Sequence, residues 1–264
     1  MQVFDTPEPV NASIELPAGS VRITASDRAD TVVDVRPSDP SDDGDVQTAE
    51  QTRVEYSKGR LLVKAPKRGA RWWLFEWGGS VEVSVDLPTR SRVDIAAALA
   101  DVRCEGRLGE SRLSTSSGDI SVARSDTTYV TTSDGAIWIG EIDGAALVKT
   151  SNGDITLGEA RGDLRLNTAN GNITVDRALA AVSAKTANGS VRIGEVVRGA
   201  IVLETAYGEL EVGVREGTAA WLDVSTRYGS VRSSLDPTDG PEPAEETVEV
   251  RARTSMGDIV IRRS

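Results

Sequence analysis

The chain has 264 residues, and its 30 Lys and Arg stand against 41 Asp and Glu, which gives a net charge of −11. A surface this acidic repels phosphate backbones and argues against nucleic acid as a partner. Histidine is absent, which removes the most common general base, the usual Ser and Cys triads and most zinc sites.

The amino-terminal residues 1–9 contain no basic region followed by an apolar run, so they do not have the pattern of a secretory signal. No stretch of the chain approaches the roughly 20 apolar residues of a membrane-spanning helix. We therefore expect a cytoplasmic chain, and the acidic surface also argues against contact with anionic lipid.

Residues 1–90 carry strand patterns without a strict repeat, and they predict an irregular β cap. Residues 13–23 indicate a hairpin or an irregular opening coil. Residues 48–54 fit a short helix or the start of a strand. Residues 60–64 and 80–87 alternate between apolar and polar positions and predict two strands that pair with each other.

The connection between these two strands concentrates the aromatic residues of the chain. It holds three of the five tryptophans and one of the two phenylalanines, beside Lys67, Arg68 and Arg71. Aromatic residues on a loop with basic neighbours are typical of an exposed patch that binds a protein partner or a membrane interface. The alternative is that they fold back and plug the open end of the repeat region. The candidate partner-binding residues are Trp72, Trp73, Phe75 and Trp77.

Residues 91–264 are organised by a repeat of about 18 residues. Thr150-Ser-Asn-Gly153 is followed by Thr168-Ala-Asn-Gly171 and then by Thr186-Ala-Asn-Gly189, each flanked by short runs of alternating hydrophobicity. Asn followed by Gly supplies the positive φ of a tight corner, and each alternating run predicts a half-buried strand. Two short strands cannot form a core alone, so such units must stack on one another.

The corner glycine recurs through the rest of the chain, with spacings of 17 or 18 residues that later lengthen to 19, 21 and 28. The frame predicts an all-β, right-handed parallel β-solenoid of about nine coils, which has a thin aliphatic interior and so needs few aromatic residues. A substitution such as Gly171→Val should disturb a corner. The corner glycines are Gly118, Gly135, Gly153, Gly171, Gly189, Gly208, Gly229 and Gly257.

The frame also predicts which side chains face the interior. The first, degenerate coil supplies four of them, including the single cysteine, which we interpret as a small buried hydrophobe rather than a reactive thiol. The predicted inward residues are Val93, Ile95, Val102, Cys104, Leu164, Leu166, Ile173, Val175, Val182, Ala184, Val191, Ile193, Ile201, Leu203, Leu210 and Val212.

Residues 235–247 form an acidic, proline-rich insertion before the last predicted coil, which spans residues 248–261. The chain ends with Arg262, Arg263 and Ser264. Charges at a free sheet edge discourage pairing with other chains. We therefore expect these arginines to lie at the free edge of the solenoid and to prevent end-to-end pairing.

The opening segment 4–9, the stretches 19–27 and 31–37, and the closing segment 251–264 together resemble one known group. This is the bacterial β-strand-repeat family of unknown function called "putative adhesin". The resemblance covers nearly the whole chain. It implies a repetitive all-β protein with no established activity, substrate or catalytic residues.

Chemistry on the outer face depends on the residue that follows each corner glycine. Asp119 and Asp154 would lie two coils apart, about 9.6 Å from a strand spacing of about 4.8 Å. That distance is near the upper limit, about 9.5 Å, for an inverting pair of glycosidase carboxylates. Solvated charges are the simpler interpretation. Asn152, Asn170 and Asn188 are expected to form a hydrogen-bonded ladder rather than a binding site.

Three hypotheses for function remain open. The first is a non-enzymatic scaffold or protein-interaction module, present as a monomer or weak oligomer. The second is a self-assembling filament or oligomer, and the third is a carbohydrate-active enzyme that uses outward aspartates. The repeat frame contains neither a calcium-binding repeat nor a phosphate-binding loop, and we expect no metal, cofactor or catalytic residue.

Overall fold

The computed structural model describes residues 1–66, 79–235 and 246–264. The described chain forms two compact units, Met1–Asp134 and Gly135–Ser264. Both units consist of β-strands, with one short helix in the first, and the predicted all-β parallel solenoid is confirmed. The predicted division into a cap, residues 1–90, and a repeat region, residues 91–264, stays a prediction.

The first unit contains eight strands and one helix among its described residues. They are β1 (Gln2–Asp5), β2 (Asn11–Ser26), β3 (Asp30–Pro37), α1 (Asp43–Gln51), β4 (Arg53–Ser57), β5 (Arg60–Lys64), β6 (Val81–Pro88), β7 (Arg92–Ser114) and β8 (Ile120–Thr131).

Strand β2 is the centre of the first unit, because three other strands pair with it in parallel. β7 lies beside nearly its whole length, whereas β5 pairs with its first half and β6 with its second half. The predicted pairing of residues 60–64 with 80–87 is therefore wrong. Of the two alternatives for residues 13–23, the opening coil is correct, because the chain bends at Gly19 with a φ of 131° and continues as a strand.

Antiparallel strands extend the sheet beyond β5 and β6. β3 pairs with β6, β1 pairs with β3, and β4 pairs with β5. Helix α1 begins after Asp42, whose carboxylate accepts hydrogen bonds from the amides of Gly44 and Asp45. The buried Asp45 carboxylate accepts the Ser80 amide at 2.5 Å and so holds the start of the helix against the approach to β6.

The second unit contains thirteen strands among its described residues. They are β9 (Ile137–Ile142), β10 (Ala146–Lys149), β11 (Ile155–Ala160), β12 (Leu164–Asn167), β13 (Ile173–Ala178), β14 (Val182–Lys185), β15 (Val191–Val196), β16 (Gly199–Tyr207), β17 (Leu210–Val214), β18 (Thr218–Tyr228), β19 (Val231–Ser233), β20 (Glu246–Met256) and β21 (Ile259–Arg263).

These strands stack in two parallel series that advance one coil at a time. β9, β11, β13, β15 and β17 form one series, and β10, β12, β14 and β16 form the other. The register is 18 residues, so that Ile155 lies opposite Ile173 and Ile173 opposite Val191. Every inward residue that the repeat predicts is at most 2% exposed. The narrow aliphatic core is therefore confirmed.

The end of the chain departs from the predicted order of coils. β20 lies between β16 and β18, and β21 lies between β17 and β19, so the last coil in sequence is the penultimate coil in space. Its inward Val248, Val250 and Ile259 are at most 2% exposed, whereas Leu222 and Val224 of the outer coil are half-buried. The last coil in sequence is therefore covered on both sides, whereas the outer coil is covered on one side by the described residues.

The prediction that the C-terminal arginines lie at the free edge of the solenoid is consequently wrong. Arg262 forms an ion pair with Glu211 at 2.8 Å, and Arg263 donates to the carbonyl oxygens of Arg215 and Thr218. Both arginines join neighbouring coils, and among the described residues the strands at the free edge on this side of the second unit are β18 and β19.

Candidate functional site

The predicted partner-binding residues Trp72, Trp73, Phe75 and Trp77 lie outside the residues that the structure describes, so their role stays a prediction. The corners of the coils in the second unit form a regular surface. There the repeat places one residue type from each coil in register.

Five corners of the second unit are held by a threonine hydroxyl and a glycine amide that bridge neighbouring coils, namely those of Gly153, Gly171, Gly189, Gly208 and Gly257. The Thr168 hydroxyl donates to the carbonyl oxygen of Gly153 at 3.2 Å, in the preceding coil. The Gly171 amide donates to the carbonyl oxygen of Asn188 at 2.9 Å, in the following coil. The threonine is buried, and the glycine has a φ of 149°. Both recurring residue types therefore satisfy or shape the backbone and are not a binding site.

Between the threonine and the glycine, three asparagines form the predicted ladder. The Asn170 amide nitrogen donates to the Asn152 side-chain oxygen at 2.8 Å, and the Asn188 amide nitrogen donates to that of Asn170 at the same distance. All three side chains are exposed, yet their amides are engaged with one another. The ladder is confirmed as a structural feature of the corner.

The residue after each corner glycine bonds to the neighbouring coil as well. The Asp154 carboxylate accepts the backbone N–H of Asn172 at 2.7 Å, and the Asn172 side-chain oxygen accepts that of Ser190 at 2.9 Å. Asp258 accepts the backbone N–H of Ser230 at 2.8 Å in the same way. At four coils this position supplies an oxygen that accepts a backbone N–H of the neighbouring coil, which gives a structural reason for Asp154, Asn172, Ser190 and Asp258.

Electrostatics at this position follow from the same contacts. The backbone N–H of Ser230 and the guanidinium of Arg232 at 3.6 Å favour the charged form of Asp258 and hold the pKa of its carboxyl below the usual 3.8. Asp119 belongs to the first unit, where its own backbone N–H donates to Asp101 at 2.9 Å.

Where the asparagine ladder ends, three large apolar residues continue the same row. Tyr207 lies opposite Asn188, Met256 lies opposite Tyr207, and Tyr228 lies opposite Met256. They occupy the asparagine position of the corner in three adjacent coils and are 57%, 51% and 67% exposed in that order. We call these three residues the apolar corner row. Aromatic and methionine side chains left in contact with water in neighbouring coils are typical of a surface that binds another protein.

Sequence reasoning missed the apolar corner row, although the repeat frame was sufficient to locate it. Each member stands directly before a corner glycine, where the best copies of the repeat have asparagine. Three further exposed aromatics among the described residues lie on strands outside the row: Tyr129 on β8, Trp138 on β9 and Trp221 on β18.

Other chemistry is sparse in the described residues. No group of three or more Cys, Asp or Glu side chains there could hold a metal ion. Cys104 is buried, as predicted, and burial raises the pKa of its thiol to about 12, which keeps it protonated and unreactive. Across these same residues, no helix is long and apolar enough to cross a membrane.

A groove of about 350 Å³ in the first unit is lined by Arg60, Arg92 and Arg112 together with Asp94 and Glu110. Arg112 forms an ion pair with Glu110 at 2.5 Å and lies over the ring of Tyr129. Three arginines and two carboxylates line the groove, so it does not present charges of a single sign to a ligand.

Comparison with protein families matches residues 11–262 to the model described as Toastrack DUF4097. No curated protein matches the sequence.

Solved structures that resemble the chain include a "putative adhesin" from Bacteroides fragilis, with 12% identity, a TM-score of 0.48 and coverage of 98% of this chain and 95% of that one. A "putative cell adhesion protein" from Clostridium sporogenes has 12% identity and a TM-score of 0.23, with coverage of 100% and 98%. A "putative adhesin" from Parabacteroides distasonis has 11% identity and a TM-score of 0.29, with coverage of 98% and 95%.

Proposed function

The chain belongs to the Toastrack DUF4097 family, and we propose that it is a non-enzymatic interaction module that binds a protein partner through the apolar corner row. The observation that carries the proposal is the exposure of Tyr207, Met256 and Tyr228 in three adjacent coils. Preceding coils carry asparagine at the same position, so the change from polar to apolar is local.

The arrangement suits a protein partner because it combines an apolar centre with a charged rim. Tyr and Met are enriched at protein interfaces, and three of them one strand spacing apart, about 4.8 Å, form a continuous strip. The same strands also carry charged side chains: Glu204 pairs with Lys185 at 2.9 Å, and Arg253 pairs with Asp223 at 3.4 Å. Burial of the strip by a partner would remove apolar surface from water at about 25 cal/mol per Å².

The polar residues on the corner support a binding role rather than a catalytic one. Asp154, the residue with the best case for catalysis in the sequence, accepts the backbone N–H of Asn172, and the asparagine amides bond to one another. These groups are committed to holding coils together. The apolar corner row has no comparable structural partner among the described residues.

The experiment replaces the strip with the residue that the repeat itself uses. A variant with Tyr207→Asn, Met256→Asn and Tyr228→Asn extends the ladder and should fold like the parent chain, which circular dichroism can check. The matched control is Trp138→Asn, which removes an equally exposed aromatic from a strand face.

Photo-crosslinking from position 207 in cells should identify a partner, and binding should then be measured with both purified proteins. We expect the triple variant to lose at least about tenfold in affinity, since interface aromatics often contribute more than 1 kcal/mol each, and the control to bind normally. A partner that binds the triple variant as well as the parent chain would refute the proposed surface.

A further inference from the structure

A second surface lies at the outer coil formed by β18 and β19, and it shares Tyr228 with the apolar corner row. In the described residues, β18 pairs only with β20 and β19 only with β21. The corner amides show where the stacking stops. Gly208 donates to Met256 and Gly257 donates to Tyr228, but the amide of Gly229 has no acceptor among the residues that the structure describes.

The inward side chains of this coil are less covered than their counterparts. Leu222 and Val224 are half-buried, while Val250 and Ala252, which lie opposite them on β20, are fully buried. Val231 of β19 is 45% exposed. The aliphatic interior of the second unit is therefore open on this side within the described chain.

β18 also lacks the usual protection of an edge strand. Exposed edges are commonly short, or carry lysine, proline or a bulge, because a free row of N–H and C=O groups invites another strand. β18 is 11 residues long and contains neither lysine nor proline. The edge strands β1 and β4 of the first unit are only four and five residues long.

We propose that β18 pairs in the antiparallel direction with β18 of a second copy of this chain. The two copies are related by a two-fold axis that passes between their Ser225 residues. A closed dimer is favoured over a filament because the same edge is used by both copies. The register keeps side chains of equal parity opposite each other, so that Val224 of one copy faces Thr226 of the other on the inward side.

Charge complementarity selects a second copy as the partner. In this register Asp223 of each copy faces Arg227 of the other, which gives two symmetric ion pairs on the outward face. Arg227 forms no ion pair with any described residue, and Asp223 has only a 3.4 Å contact with Arg253, itself largely exposed. A shift of the axis to Asp223 or to Arg227 would place like charges opposite each other.

The test uses charge reversal in the full chain. The parent protein is expected to sediment as a concentration-dependent dimer. Asp223→Arg and Arg227→Asp should each weaken self-association by about tenfold or more, because two ion pairs become two like-charge contacts. An equimolar mixture of the two variants should dimerise again, since each reversed charge then meets its opposite in the other chain.

A disulfide crosslink tests the position of the two-fold axis directly. Ser225→Cys should form a disulfide-linked dimer with oxidised glutathione as the oxidant, because the two copies of the substituted position face each other across the axis at a distance that a disulfide can span. Trp221→Cys on the same strand is the control and should not crosslink. Buried Cys104 should not compete.

Three outcomes would overturn the proposal. These are a parent chain that remains monomeric throughout the concentration series, single reversals that leave the dimer intact, or a mixture that fails to restore it while both variants remain folded. A monomeric parent that dimerises only after residues 236–245 are replaced by a Gly/Ser linker would assign the edge to that segment instead. The partner-binding test measures affinity for a different protein rather than self-association, and Tyr207 and Met256, which lie outside β18, distinguish its failure from failure of the dimer.

Discussion

The tight contact between corners allows a sharp test of the fold with Gly171→Ala. A Cβ added at Gly171 would lie 2.1 Å from the carbonyl oxygen of Gly153, and real Cβ atoms essentially never approach closer than 3.0 Å. The obstacle is backbone, so one coil must shift against the next. The positive φ of 149° adds a second cost, because alanine rarely adopts it.

These two effects give the expected magnitude. The unfavourable φ costs about 1–2 kcal/mol, and forcing an extra methyl into a packed site costs about 1–3 kcal/mol more. We therefore expect Gly171→Ala to lower the free energy of unfolding by about 2–5 kcal/mol, and Gly171→Val, which the repeat pattern already predicts to disturb the corner, to lower it further.

Gly217→Ala is the matched control. Gly217 also has a positive φ, 75°, but an added Cβ would meet no atom within 4 Å. The Gly217→Ala substitution should lower the free energy of unfolding only by the backbone effect, about 1 kcal/mol. Urea unfolding followed by far-UV circular dichroism measures both variants. If Gly171→Ala were no more destabilising than Gly217→Ala, the close stacking of corners described above would be refuted.

Three further predictions concern hydrogen bonds, the thiol and pH. Thr168→Val removes the hydroxyl that donates to Gly153 and should cost about 1 kcal/mol in urea unfolding, whereas Thr168→Ser should retain most of the stability; equal losses would argue against the hydrogen bond. Because burial raises the pKa of Cys104 to about 12, Ellman's reagent at mildly alkaline pH should modify it only after denaturant is added, and rapid labelling of the native chain would contradict its placement. The pKa of Asp258 is lowered in the folded chain, so its contribution to stability is present above pH 3.8 and is lost as the pH falls through the folded-state pKa. Asp258→Asn keeps an acceptor for Ser230 and removes the charge, so its stability deficit in thermal melts should be larger at neutral pH than in acid, and a deficit that does not change with pH would contradict this assignment.

Much of the fold was predictable because a repeat transfers information from one coil to the next. Once Ile173 is recognised as inward, an 18-residue register fixes Ile155 and Val191 as its neighbours, and the structure places them so. The asparagine ladder followed from the same logic. These predictions needed only local alternation and a constant period.

The stacking order at the chain ends was not predictable by this route. The period says that the coil with Leu222 and the coil with Val250 can both stack, but it does not say which lies outside. Both coils carry the same alternation, so the pattern does not distinguish them. In the first unit, the pairing of β5 and β6 with the two halves of β2 likewise depends on long-range competition that an alternating pattern does not encode.

The candidate site was partly predictable from the sequence. Tyr207 and Tyr228 stand at the ladder position before a corner glycine, so their outward placement follows directly from the repeat. The order of the row does not follow from it, because Met256 lies between the two tyrosines only when the last segment of the chain is inserted between two earlier coils.

That insertion sets an order of events for the growing polypeptide. When Thr218–Tyr228 leaves the ribosome, its only described strand partner, Glu246–Met256, has not yet emerged. Assembly of this end cannot proceed rung by rung in the direction of translation, and must wait for the final residues to arrive. A nonsense mutation that removes Glu246–Met256 would thus delete an interior coil and leave Thr218–Tyr228 without its strand partner.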